Sequence, residues 1–120
     1  MYEVLVKSDF SSAHRLRGYK GKCENLHGHN WTVEAAVSSK TLDKNGILVD
    51  FRVFKDSLEK VMDELDHTNL NELASFKTAN PTSENIAKFI FDRLKTKDII
   101  PQRVTVWESD TSCATYFGEK

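Results

Sequence analysis

The sequence predicts one α+β domain: an antiparallel four-stranded sheet with two helices on one face. Three observations lead there. Two stretches of alternating side chains, residues 2–16 and 27–38, open the chain. Two stretches of helical period, 51–65 and 82–95, fill its middle, and two short β-rich runs, 104–108 and 114–117, close it. The order is therefore β-β-α-α-β-β. Each pair of neighbouring strands can form an antiparallel hairpin, and the two apolar helix faces need one sheet face to cover.

In the first strand Tyr2, Val4 and Val6 share a face, and Phe10, Ser12 and His14 continue its parity. Arg15 to Lys22 is a basic loop with Gly18 and Gly21. In the second strand Trp31, Val33, Ala35 and Val37 share the parity of His27 and His29. Asp43-Lys44-Asn45-Gly46 reads as a turn. Asp50 is placed to cap a helix over 51–65, whose expected buried stripe is Phe51, Phe54, Leu58, Val61 and Leu65. Asp66 and His67 fall at its end, followed by a connector over 68–80. Pro81-Thr82-Ser83-Glu84 starts the second helix, with Thr82 or Ser83 as cap and Glu84 in the first turn. That helix should bury Ile86, Ile90 and Leu94, with Phe89 or Phe91 alongside. A polar turn at 109–112 joins the last two strands. No repeat, linker or low-complexity segment divides residues 1–120, which form one domain.

The bulk numbers narrow the class. The chain has 120 residues, 39% hydrophobic and 29% charged, with a net charge of −1. That balance argues against a general nucleic-acid or membrane-surface partner. A core of this size is modest, and oligomerisation would add buried area. The segment Met1-Tyr2-Glu3-Val4 lacks the basic and apolar regions of a signal peptide. Cys23 and Cys113 are then expected as reduced thiols in a cytoplasmic protein.

The chemistry concentrates in Cys23-Glu24-Asn25-Leu26-His27-Gly28-His29. His27 and His29, two apart on a strand, leave the same face. A hairpin brings His14 opposite them. Three imidazoles and an open position are the layout of catalytic zinc, whereas structural zinc is usually closed by four ligands. Cys23 sits among cations that favour a thiolate. Asp66 beside His67 can orient an imidazole that polarises a thiol, which makes Cys23, Asp66 and His67 a candidate proton-transfer set. By themselves, however, Asp66 and His67 read more simply as a helix end. Glu108 shares the parity of Val104 and Val106 and can accept two parallel N–H groups from a heterocycle, although by itself a charge at a strand end explains it more simply.

Taken together, Phe10-Ser11-Ser12-Ala13-His14, Cys23-x-x-x-His27-Gly28-His29, Leu65-Asp66-His67, Pro81-Thr82-Ser83-Glu84-Asn85 and Trp107-Glu108-Ser109 resemble the 6-pyruvoyltetrahydropterin synthase and 6-carboxytetrahydropterin synthase family. The five motifs follow the family's order and span nearly the whole chain. The resemblance implies a tunnelling fold, whose sheets join into a barrel. It implies a homohexamer built as a dimer of trimers, with active sites at subunit interfaces. It also implies that His14, His27 and His29 hold zinc, that Cys23, Asp66 and His67 move protons, and that Glu108 anchors a pterin in a pocket lined by Thr82, Ser83 and Glu84. The three residues between Cys23 and His27 look like the bacterial 6-carboxytetrahydropterin synthases. The reaction so implied turns 7,8-dihydroneopterin triphosphate into 6-carboxy-5,6,7,8-tetrahydropterin, acetaldehyde and triphosphate, on the way to queuosine. Glu24, three residues before His27, has the spacing of a family variant that cleaves the side chain to 6-hydroxymethyl-dihydropterin for folate synthesis. A pyruvoyl-forming synthase is the other alternative within the family.

Overall fold

A computed structural model describes residues 1–19 and 24–119. Strands β1 (Tyr2–His14) and β2 (His27–Ser39) are followed by helix α1 (Phe51–Leu65) and two single 3-10 turns (Leu70–Glu72 and Ala74–Phe76). Helix α2 (Ser83–Leu94) and strands β3 (Arg103–Ser109) and β4 (Ser112–Phe117) complete the chain. The sheet order is β1-β2-β3-β4, antiparallel throughout. The expected hairpins are thus joined edge to edge by β2 and β3. Among the described residues no helix is long and apolar enough to cross a membrane.

Register follows from the apolar alternation. Phe10 pairs with Trp31, Val6 with Ala35, Val33 with Val106 and Ala35 with Val104. A one-residue slip would turn this whole set to the other face. The set instead packs against Phe54, Leu58, Leu65, Ile86 and Ile90 of the two helices, all buried in one core. Asp50 caps α1 by accepting from the Arg52 N–H at 2.7 Å, and Thr82 caps α2 by accepting from the Asn85 N–H at 3.1 Å. Of the two candidate aromatics on α2, Phe91 is buried and Phe89 packs at the margin.

Three expectations change. β1 stops at His14, because Arg15 bonds to Asn71 and not to β2. Phe51 leaves the buried stripe of α1: it is 61% exposed, and Met62 completes the stripe in its place. Phe51 has the right helical phase but lies outside the buried core. It lines an open surface cavity of about 760 Å³ with Tyr2, Val4, Leu42 and Ile47. The chain after α1 is also more than a connector. His67 N–H donates to Ser11 O and Ala13 N–H to Thr68 O, so residues 66–69 cover the last part of the β1 edge.

Ser12 fastens that cover. Its hydroxyl donates to Leu65 O and accepts from the Thr68 N–H at 3.2 Å. Ser12→Ala leaves the Thr68 N–H without its acceptor, while Leu65 O keeps the Thr68 hydroxyl at 2.9 Å. We expect a loss of about 1–2 kcal/mol in urea unfolding, with the fold otherwise retained.

Candidate metal centre

The β1–β2 register places His14 directly opposite His27, and Ser12 opposite His29. All three histidines lie on the helix-facing side of the sheet, at the end that the helices leave uncovered. Their rings stand edge-on, with centroids 4.7 Å (His14–His27), 5.2 Å (His14–His29) and 4.9 Å (His27–His29) apart. Trp31 forms the floor, 4.8 Å from His14 and 5.1 Å from His29. Its indole N–H is spent on Ser12 O at 3.1 Å, so it does not compete for the imidazole nitrogens.

Backbone carbonyls set the tautomers. His14 Nδ1–H donates to Pro81 O at 2.7 Å, and His27 Nδ1–H donates to Asn25 O at 2.8 Å. In a neutral ring the lone pair is then on Nε2, which is the arrangement a metal ligand needs. Burial lowers the pKa of His29 below its ordinary value. His14 and His27 push the same way, against Glu108 and Glu24. A neutral His29 is a ready ligand at neutral pH.

Glu108 joins this group. The β2–β3 ladder ends at Thr32–Trp107, and between Trp107 and Ser109 the β3–β4 register shifts, leaving Glu108 without a partner on β4. Such a bulge bends the strand and re-aims a side chain. Glu108 Oε1 comes to 3.4 Å from His29 Nε2. One ligand atom from each of His14, His27, His29 and Glu108 lies within 4.8 Å of the others.

This set fits a metal ion on grounds internal to the chain. His14 Nε2 and His29 Nε2 are buried and have no hydrogen-bond partner among the described residues. Buried polar atoms are rarely left so, and an ion at their common focus satisfies both. Imidazoles with one carboxylate suit zinc and neighbouring divalent transition metals.

The Asp66–His67 pair is assembled as expected, but away from the metal focus. Asp66 Oδ2 holds His67 Nδ1–H at 2.8 Å, and Asp66 Oδ1 accepts the Ser11 N–H at 2.8 Å. His67 has φ 54°, a left-handed conformation uncommon outside glycine. Its side chain is 83% exposed. Among the described residues no hydrogen bond or ion pair joins it to the three histidines. Thr82 spends an acceptor on its cap, Ser83 is buried and Glu84 is exposed, while the neighbouring Pro81 carbonyl holds His14. Cys23 lies outside the described residues, as do Lys20 and Lys22. Glu24 is tied to Leu16: its N–H donates to Leu16 O at 3.0 Å, and its carboxylate accepts the Leu16 N–H at 3.3 Å. Beside it a polar cavity of about 480 Å³ is lined by Arg15, Arg17, Lys77, Asn25 and Glu72. Gly28 has room: an added Cβ would meet only Ser12 O at 3.9 Å, so no backbone among the described residues requires glycine there.

Asp66 carries a testable pH dependence. The Ser11 N–H, and next the hydrogen bond from His67, hold its carboxyl below the usual range. A carboxyl whose folded value is depressed stabilises the fold above its unfolded value, about 3.9, and loses that contribution as pH falls through the folded value. Asp66→Asn should therefore be less stable than the parent at pH 7, with the gap closing below about pH 4. Urea unfolding from pH 7 down to 2.5 reads this directly.

The fold and the histidine cluster define a small α+β domain with a candidate metal site built on a β-hairpin. The 6-pyruvoyl tetrahydropterin synthase family profile matches residues 3–119, and the chain belongs to that family of enzymes. The chain is 39% identical over 111 residues to a putative 6-carboxy-5,6,7,8-tetrahydropterin synthase of Archaeoglobus fulgidus, covering 92% of this chain and 91% of the relative. It is 33% identical over 110 residues to a dihydroneopterin monophosphate aldolase of Pyrococcus furiosus, covering 89% and 90%. The solved 6-pyruvoyl tetrahydropterin synthase of Caenorhabditis elegans superposes with a TM-score of 0.87 at 30% identity, covering 98% of this chain and 96% of that one.

Three parts of the site carry no signal in the sequence: the Pro81 carbonyl behind His14, the Asn25 carbonyl behind His27 and the bulge that turns Glu108. Trp31 was legible as a core residue but not as the floor of the site.

Proposed function

We propose that the chain is a zinc-dependent carbon-carbon lyase. It would convert 7,8-dihydroneopterin triphosphate and one water to 6-carboxy-5,6,7,8-tetrahydropterin, with release of acetaldehyde and triphosphate, as a cytoplasmic step toward queuosine and other 7-deazapurines. The observation that carries this reading is the trio His14, His27 and His29, in which two buried Nε2 atoms have no hydrogen-bond partner among the described residues. Bound there, zinc would supply Lewis acidity toward the side-chain hydroxyls of the substrate.

The chain's own groups do the rest. Cys23, as thiolate, takes the proton from the side-chain carbon next to the ring. Asp66 holds His67 Nδ1–H, which leaves Nε2 to pass a proton. Glu108 accepts two N–H groups of the pterin ring, and Thr82, Ser83 and Glu84 line the ring pocket. Arg15 and Lys77 border the polar cavity beside Glu24 and suit the phosphate end.

His67 projects into solvent from a single chain, which supports sites completed at subunit interfaces. Exposed Tyr2, Ile47, Phe51, Val53 and Phe117 are apolar surface for other subunits to cover, in keeping with a hexamer of two trimers. A second reading, side-chain cleavage to 6-hydroxymethyl-dihydropterin, is favoured by Glu24, whose charge acts on His29. A pyruvoyl product is the third.

Incubating the zinc-loaded protein with 7,8-dihydroneopterin triphosphate and weighing the pterin product separates all three. The carboxy product is expected, and either other mass overturns it. Chelation should abolish turnover while the circular dichroism spectrum and assembly size stay unchanged. Unfolding on chelation would instead show a structural metal.

A further inference from the structure

Glu108 has two uses for one carboxylate, and they exclude each other. As a ring anchor it must offer both oxygens to a pair of N–H donors. Yet its Oε1 already sits where a metal ligand would. Tetrahedral zinc with bonds of about 2.0–2.1 Å to nitrogen and oxygen spaces neighbouring ligand atoms about 3.3–3.4 Å apart. The separation of His29 Nε2 and Glu108 Oε1 is 3.4 Å. It is long for an N–H···O bond, and His29 Nε2 makes no hydrogen bond to it. The spacing is that of two ligands on one ion.

The backbone explains how the carboxylate reaches this place and how it can leave. Glu108 is the unpaired residue of the bulge between Trp107 and Ser109, past the end of the β2–β3 ladder. No ladder partner holds it, and its side chain is 40% exposed. His14 and His27, in contrast, are fixed from behind by Pro81 O and Asn25 O. The site thus has two ligands braced by backbone carbonyls and one unbraced carboxylate.

We propose that Glu108 is an exchangeable fourth ligand. Its carboxylate closes the metal site while no substrate is present, and it transfers to the pterin ring on binding, opening the fourth position as the side-chain hydroxyls arrive. This rests on the reading of His14, His27 and His29 as a metal site. It adds that the resting site is closed, and that ring recognition opens it.

The test reads the metal rather than turnover. The wild-type chain, Glu108→Ala and Glu108→Gln are loaded with Co²⁺, whose visible bands report its ligands. Zinc affinity is measured by competition with a chromophoric chelator. Glu108→Ala should bind zinc about 10–100-fold more weakly, by analogy with lost supporting groups at metal sites, and its cobalt spectrum should differ from wild type. Plain pterin, which has the ring but no side-chain hydroxyls, should move the wild-type spectrum toward that of Glu108→Ala and leave the variant's unchanged. Glu108→Gln, which keeps the shape, guards against a folding defect in the alanine variant and should also lose the wild-type spectrum. Equal affinity and identical spectra in wild type and variants overturn the fourth ligand. A wild-type spectrum indifferent to pterin overturns the exchange. Failure of the wild-type chain to bind zinc or cobalt overturns the metal reading itself, a distinguishable result.

Discussion

His27→Ala is expected to strip the protein of its metal and reduce turnover by roughly 10³-fold or more, since a Lewis acid contributes several kcal/mol to the transition state. The melting temperature of the metal-free protein should scarcely move. The reasoning is local. His27 lies on the exposed margin of the site, and its one side-chain hydrogen bond among the described residues, Nδ1–H to Asn25 O at 2.8 Å, is to its own loop. Its loss removes a ligand and little packing. His14→Ala should lose the same metal and more. His14 is 2% exposed, packs on Trp31 and bonds Pro81 O at 2.7 Å. Leaving that carbonyl unpaired costs about 1–3 kcal/mol in addition. Bound zinc, melting temperature and turnover, measured on both variants, separate the two effects. A His27→Ala protein that retained one zinc per chain and normal turnover would remove the histidine trio from the chemistry.

The contrast between these two histidines shows what is legible in a sequence of this kind. Parity gave the shared face of His14, His27 and His29, because strand alternation is local and the hairpin register is locked by Phe10 against Trp31 and Val6 against Ala35. Helix α1 was legible to its first and last residue, because Asp50 caps it and its stripe is regular. Phe51 misled because periodicity reports the phase of a side chain and not whether a layer lies opposite. The bracing of His14 by Pro81 depends on residues 67 apart, and no local pattern carries that. Adjacency in the sequence made Asp66 and His67 a candidate pair, and the motif resemblance gave that pair a role. Their mounting on the β1 edge through Ser11 needed coordinates. Glu108 was assigned from parity and resemblance as a ring anchor. Its approach to His29 arises from a bulge that alternation arguments assume away.

Cys23→Ala should separate chemistry from metal binding most cleanly. The thiol is four residues from His27 but is not needed for the ligand set, since three imidazoles and Glu108 already supply four donor atoms. Zinc content and fold should therefore match wild type. Turnover should fall by about 10²–10⁴-fold, the usual contribution of a positioned general base. Glu24 sharpens the test. Its carboxylate is held by the Leu16 N–H at 3.3 Å, and its charge still reaches His29. If Glu24 were the base, Cys23→Ala would turn over normally and Glu24→Gln would not. If the thiol is the base for carboxy formation, Cys23→Ala stops that product. Any residual activity should then give the 6-hydroxymethyl compound, because Glu24 remains and has the spacing of the cleaving variant. Product masses from Cys23→Ala, Glu24→Gln and the double variant decide the matter. Carboxy product made by Cys23→Ala at the wild-type rate removes the thiol from the mechanism.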